Sequence, residues 1–161
     1  MMGKALVIVA LFFGVASQAM AASSPSPSRS PVPAPSRPQP TDYELGVKAV
    51  KAKDWSRALA FLQKVVQAEP RNADAWNHLG YSYRHLKQFD QSLAAYREAL
   101  AINPNHRGAN EYLGELYLQI GDPEKARERL EKLRALCPSG CSEYDDLAKA
   151  IKAYESTRKS G

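Results

Sequence analysis

Apolar side chains along this chain recur at two spacings at once. In the middle of the chain Trp76, Leu79, Gly80 and Tyr83 stand at i, i+3, i+4 and i+7, and Phe89, Leu93, Tyr96 and Leu100 resume the stripe after a break at Gln88. That spacing predicts two amphipathic helices back to back, the second ended by Ile102 and Pro104. Over a longer range the pattern copies itself every 34 residues: Leu45-Gly46, Leu79-Gly80 and Leu113-Gly114 keep this step, and so do Pro70, Pro104 and Pro138. Two markers in phase over three copies predict a stacked array, in which each helix pair completes its core against its neighbours. A binding scaffold is the default for such an array, and catalysis needs separate evidence.

Within each copy the first helix (A) carries the Leu-Gly marker and the second (B) follows a short break. Gly80 and Ser92 are small where the two helices of the middle copy should cross closely. Thr41 with Glu44 forms a capping box, and Asp122-Pro123-Glu124 reads as a helix start: a cap, a proline in the first turn and an acid on the dipole. The step continues to Leu147-Ala148, where Tyr144, Leu147, Ala148, Ile151 and Tyr154 keep the helix A pattern above a polar outer face. Half a fourth unit therefore closes the array as a cap, with Ser142 and Asp145 as its expected capping start.

Trp76, Leu79, Gly80, Tyr83, Tyr96, Ala99 and Pro104 resemble the tetratricopeptide repeat, a helix-turn-helix unit of 34 residues with the signature W-x2-L-G-x2-Y, then A, F, A and P. The first unit aligns through Leu45, Gly46, Ala58, Leu62 and Pro70, and the third through Leu113, Gly114, Tyr117, Ala126, Leu130 and Pro138. The resemblance implies an all-α, right-handed α-solenoid of three repeats, 41–72, 73–106 and 107–140, with a C-terminal capping helix over 141–158. Asp42 and Asn110 replace Trp76, and are expected to face the groove or solvent. Val65 and Leu133 replace the small Ala99, which predicts looser packing or a changed helix angle there.

In this family, the resemblance implies, the A helices line a concave surface along which an extended peptide or partner helix lies. Counted from the Leu-Gly marker, the inward positions are Tyr43, Val47, Val50 and Lys51, then Asn77, Tyr81, Arg84 and His85, then Glu111, Glu115, Leu118 and Gln119, with Lys149 and Lys152 on the cap. The groove is expected to be apolar at its first end and charged at the other. Any one of these residues could equally pack between repeats. Family members that clamp a chaperone's terminal carboxylate use Lys and Asn in the first repeat; Val47 stands where that Asn would be, so this ligand class is not expected.

The N-terminus reads separately. Lys4, the apolar run Ala5 to Ala16 and the Ala19-Met20-Ala21 site predict a cleavable signal peptide, 1–21, and a periplasmic or secreted protein. The run falls short of the roughly 20 apolar residues a membrane span needs, although retention as an anchor is the alternative. Residues 22–40, rich in Ser and Pro, are an expected linker with nothing apolar enough to order it. The 161 residues carry a formal charge of +5; of the 22 Lys and Arg, Lys4, Arg29 and Arg37 precede Thr41, which leaves 19 basic against 17 acidic residues. These are interspersed, so a nucleic-acid partner is not expected.

Cys137 and Cys141 flank Pro138-Ser139-Gly140, and in an oxidising compartment should form a disulfide that holds the cap helix. A thiol-disulfide enzyme using this pair is the alternative, against the usual redox spacing of two intervening residues. No C-x-x-C-H, G-x-S-x-G, phosphate loop or H-E-x-x-H is present. His78, His85 and His106 lack partners at zinc-ligand spacing, and Glu111 and Glu115 read as a groove-lining pair. The expectation is therefore an exported scaffold that binds a protein or peptide, with no catalytic residue, metal or cofactor. Self-association as an envelope scaffold is the remaining alternative.

Overall fold

The computed structural model describes residues 39–159; the expected leader, 1–21, and all but the last two residues of the expected linker, 22–40, lie outside them. Among the described residues seven helices and no strand follow one another: α1 (Asp42–Lys51), α2 (Trp55–Ala68), α3 (Ala73–His85), α4 (Phe89–Ile102), α5 (Arg107–Gln119), α6 (Pro123–Leu136) and α7 (Ser142–Lys159). Each helix packs on the next, and the odd-numbered helices also touch in series, α1 on α3, α3 on α5 and α5 on α7. This is an all-α solenoid of helix pairs with α7 across its end.

The Leu-Gly glycines explain how closely the helices approach. A Cβ added at Gly46 would stand 2.8 Å from Leu62, and one at Gly80 2.6 Å from the Tyr96 ring. Both contacts join the two helices of one pair. At the expected α3–α4 crossing, the buried Ser92 hydroxyl also donates to the Gly80 carbonyl at 2.7 Å. Gly114 departs from the series, because its added Cβ would meet Leu147 of α7 at 2.5 Å. The core divides on α4, whose adjacent Ala95 and Tyr96 face opposite ways. Ala95 joins Leu62, Val65 and Leu79, whereas Tyr96 joins Leu113, Leu116, Leu133 and Leu147.

Turn geometry repeats with the same step. Lys53, Lys87 and Gly121 are each left-handed, with φ of 57°, 61° and 83°. The residue after each closes the turn by donating to a carbonyl five residues back: Asp54 to Ala49, Gln88 to Tyr83 and Asp122 to Tyr117, at 3.0, 2.9 and 2.8 Å. These are Schellman endings, in which Gly costs nothing and Lys is strained. Asp54 and Asp122 then cap the following helix, accepting from Arg57 and Lys125 N–H at 3.1 and 3.2 Å, while Gln88 makes no such bond.

The Thr41–Glu44 capping box is present in both directions. Two local expectations need correction. Asn110 faces neither groove nor solvent: it is fully buried, and donates to the Pro104 and His106 carbonyls at 3.3 and 3.0 Å. Trp76 donates from its indole to the equivalent Pro70 carbonyl at 3.0 Å. What that position requires is thus a donor aimed at the turn proline, and an amide supplies one as well as an indole does. Val65 and Leu133, in the place of Ala99, both lie in the core at 5% and 0% exposed. Ser142 does not cap Asp145; its hydroxyl donates to Glu143, and the Cys141 carbonyl accepts the Asp145 N–H at 3.2 Å.

Around Gly121 there is nothing within 4 Å of an added Cβ, so Gly121→Ala isolates the backbone cost. It should lower unfolding free energy by about 1 kcal/mol, and Lys87→Gly should raise it by about the same amount. Urea unfolding midpoints decide this, and a loss of stability in Lys87→Gly would show that the turn is not strained.

Candidate functional site

Side chains from α1, α3, α5 and α7, with Trp55 at the start of α2, line a cleft of about 490 Å³. It shares Tyr81, Glu111, Tyr112 and Asp146 with a second hollow of about 480 Å³ that reaches Lys149. That one in turn shares Arg84, Glu115 and Ala150 with a third of about 500 Å³, bounded by Leu118, Gln119 and Tyr154. Together they make one groove along the odd-numbered helices.

The floor of the groove is aromatic. Trp55 stacks on His85 at 4.3 Å between ring centroids, with the planes 8° apart. Tyr81 lies 4.5 Å from His85 and 4.8 Å from Tyr112. Burial, then the neighbouring Arg84, Lys87 and Lys53, lower the His85 pKa, so the ring stacks uncharged at neutral pH. Arg84 sits over the Tyr81 and Tyr112 rings, 5.3 and 5.7 Å from their centroids, and its Nη2 meets Glu115 Oε2 at 2.7 Å. With only 7% of its surface exposed, it fastens α3 to α5 as well as lining the groove. The Tyr96 hydroxyl is buried beside the Arg84 guanidinium, and burial raises its pKa.

Acidic groups gather towards α5 and α7. Glu111 is 7% exposed, and its carboxyl pKa is pushed up to about 8, first by burial and then by Glu115, Asp146 and Glu143, against the pull of Arg84. Burial, together with Glu111, likewise pushes Tyr112 up to about 12. Lys51 and Lys53 line the opposite, α1 end of the cleft, so the end expected to be apolar carries two cations beside Val50 and Trp55. The charged end is where the spacing puts it.

Of the residues expected on the concave face, Val50, Asn77, Tyr81, Glu111, Arg84, Glu115, Leu118 and Lys149 line the groove, and His85 borders it through its stack on Trp55. Tyr43 and Val47 line a further hollow on α1 with Glu44, Lys48 and Lys51, and Lys51 joins it to the cleft. Lys152 is exposed and lies off these clefts, where Asp146, Ala150 and Ala153 take the inner side of α7 instead. His78, Tyr112 and Asp146 were not anticipated, yet they hold one position of the repeat, 34 residues apart and next to the Asn77–Glu111 row. Trp55 had no such signal.

His106 is a structural residue. Its Nδ1 accepts the Ala109 N–H at 3.1 Å and caps α5, and its Nε2 reaches Asp74 at 3.0 Å. Among the described residues no group of three His, Cys, Asp or Glu could hold a metal ion, and no helix is long and apolar enough to cross a membrane. Cys137 and Cys141 are joined as a disulfide with Cα atoms 5.8 Å apart, in the turn between α6 and α7.

Residues 73–106 and 109–140 each match the tetratricopeptide repeat family. The chain is 34% identical to tetratricopeptide repeat protein 37 of Xenopus laevis over 76 residues, which covers 47% of this chain and 5% of that protein. It is 28% identical to small glutamine-rich tetratricopeptide repeat-containing protein 2 of Saccharomyces cerevisiae, over 71% of this chain and 32% of the relative. The chain thus spans only a small part of the curated relatives it matches. Among solved structures, MamA from Desulfovibrio magneticus aligns at TM-score 0.59 and 29% identity, over 63% of this chain and 57% of that one. The first repeat domain of Spaghetti, solved bound to the HSP90 peptide SRMEEVD, aligns at TM-score 0.62 and 23% identity, over 70% and 89%. An array of helix pairs around a concave groove is a repeat-protein fold, and these matches identify which kind. Residues 73–106 and 109–140 of the chain are tetratricopeptide repeats.

The raised Glu111 pKa predicts a pH dependence. Between about pH 4.5 and about 8 the folded carboxyl keeps a proton that the unfolded chain has released, so stability falls as pH rises through this window. Glu111→Gln should remove that slope, raising Tm by several degrees at about pH 9 and leaving it unchanged at about pH 4. Thermal melts followed by circular dichroism test this, and equal gains at both pH values would contradict it.

Proposed function

We propose that this protein is a non-catalytic adaptor that captures an extended segment of a partner protein along its concave groove. The observation that carries this reading is the variation of side chains at fixed positions of the repeat. One inner row runs Tyr81, Glu115, Lys149, and its neighbour runs His78, Tyr112, Asp146. The backbone repeats while the chemistry along the groove changes from place to place, which is what a linear ligand needs to be read in one direction and register. The same fold holds an HSP90 peptide in the Spaghetti domain.

Export is part of the proposal. A leader cleaved after Ala21 would deliver the chain to the periplasm or outside the cell, and the Cys137–Cys141 bond suits an oxidising compartment. In that setting the bond serves as a staple at the α6–α7 turn. The mature chain should then begin at Ala22 when sequenced from the periplasmic fraction.

The groove is tested by placing a photo-crosslinking amino acid at exposed positions in living cells. His85 and Lys149 are expected to yield one shared crosslinked partner, while Arg97 and Arg134 on the even-numbered helices should yield none. Equal capture of that partner from Arg97 would sink the concave-face assignment.

A further inference from the structure

Two acceptor groups that line the groove have no partner within the protein. Glu111 is 7% exposed and lines the cleft, yet no described residue gives its carboxyl a hydrogen bond or a salt bridge. Asn77, 6% exposed and lining the same cleft from α3, has a buried side-chain oxygen that also lacks a hydrogen bond. A buried acceptor such as the Asn77 oxygen is ordinarily satisfied, and the Glu111 carboxyl beside it opens on the cleft without a partner, so the pair asks for a complement from outside. Both lack a donor.

The surrounding charge says what kind of donor. Glu115 is occupied by Arg84, and Glu143 reaches the exposed Arg107 at 3.5 Å. Asp146 projects from α7 into the same cleft. The cations nearby are Lys149 on α7 and, at the α1 end, Lys51 and Lys53; His78 between them has its pKa lowered by burial. Metal ions are a poor match, since among the described residues no three ligating side chains converge. A group with several N–H donors and a positive charge satisfies both acceptors and the carboxylate field, and the Tyr81 and Tyr112 rings beside it favour a cation.

We propose that Glu111, Asn77 and Asp146 form a socket for the guanidinium or ammonium group of an Arg or Lys side chain on the captured segment. The socket rests on the reading of the groove as a peptide site and names what that site selects. Its sign is opposite to that of the acidic SRMEEVD peptide held by the Spaghetti domain. Lys51 and Lys53 confine the cation to the α5–α7 end of the groove, which fixes the direction of the segment.

The raised Glu111 pKa adds a signature. The carboxyl must be ionised to receive a cation, so affinity should climb as pH rises towards and through about 8, and binding at neutral pH should release a proton. Asp146, Glu143, Glu115, Lys149 and Arg84 face the same carboxyl and set where in that window the rise falls.

The test uses fluorescence anisotropy of the full chain with short labelled Gly-Ser peptides that carry Arg, Lys, citrulline or Glu at one shared position. Arg and Lys peptides are expected to bind at least about tenfold more tightly than citrulline or Glu peptides. Glu111→Gln and Asp146→Asn should erase that preference, and spermidine should compete only weakly. Equal binding of Arg and citrulline peptides, with Tyr81→Ala weakening both, overturns the socket and leaves the groove standing. Full displacement by spermidine overturns the choice of a peptide ligand. If Tyr81→Ala and Glu111→Gln leave every peptide unaffected, the groove reading falls along with the socket.

Discussion

The missing side chains at Gly46, Gly80 and Gly114 set the distances on which the rest of the structure depends. At each, a single added carbon would collide with a buried side chain at 2.5 to 2.8 Å, and the colliding atoms belong to Leu62, Tyr96 and Leu147, all fully buried with no free volume to move into. With the glycines in place the helix axes close, and the even-numbered helices fill one side of the molecule. The odd-numbered helices are left to form the lining of a groove. The concavity is thus a by-product of packing, and apart from the Arg84–Glu115 pair, which joins α3 to α5, its side chains are not what sets these distances.

Most of this architecture was legible because it follows from local rules that repeat. Helix phase, the Thr41–Glu44 box and the Asp122 cap are each decided by residues within a few positions of one another, and the Leu-Gly marker is legible because it recurs at a fixed step. The misreadings at Asn110 and Lys152 arose where a side chain's surroundings are set by how the helices pack. Asn110 looked polar and therefore exposed; only the fold brings the Pro104 carbonyl to its amide and Arg129 to its oxygen, 3.3 Å from each. Lys152 keeps the 34-residue step, as Asp146 and Lys149 do, but near the end of α7 it is Ala153 and not Lys152 that reaches the cleft. Trp55 was hidden for a similar reason. It lies on a B helix, and reaches the groove only because α2 begins beside the end of α3, against His85.

The electrostatics of the groove separate stability from function. Arg84 and Glu115 are paired, and the aromatic rings around the guanidinium compensate its burial, so this group strengthens the α3–α5 junction. Glu111 is placed with the opposite consequence. Its burial beside three other carboxylates works against the fold at neutral pH, and an isosteric amide would serve packing better. Sites that oppose folding in this way are where functional constraint is expected to act. The same reasoning applies to Asn77, whose buried oxygen could have been replaced by an apolar group at little cost.

The cap helix joins these two lines of argument. A terminal helix is needed to cover the apolar end of any open array, and Leu147 and Ile151 do this by completing the core around Leu113 and Leu116. Yet α7 also packs against α5 along the groove side, and contributes Asp146 and Lys149 to its wall. Its placement depends on Gly114 at one contact, on the Arg127–Glu155 bridge to α6 at 2.7 Å, and on the short Cys137–Cys141 loop at its start. A helix held at three points and lining a cleft does more than shield apolar surface: any shift of α7 moves Asp146 relative to Glu111. The disulfide closes too small a loop to matter greatly to global stability, about 2 kcal/mol by chain entropy. Its position makes it better suited to fixing the distance between the two carboxylates than to preventing unfolding.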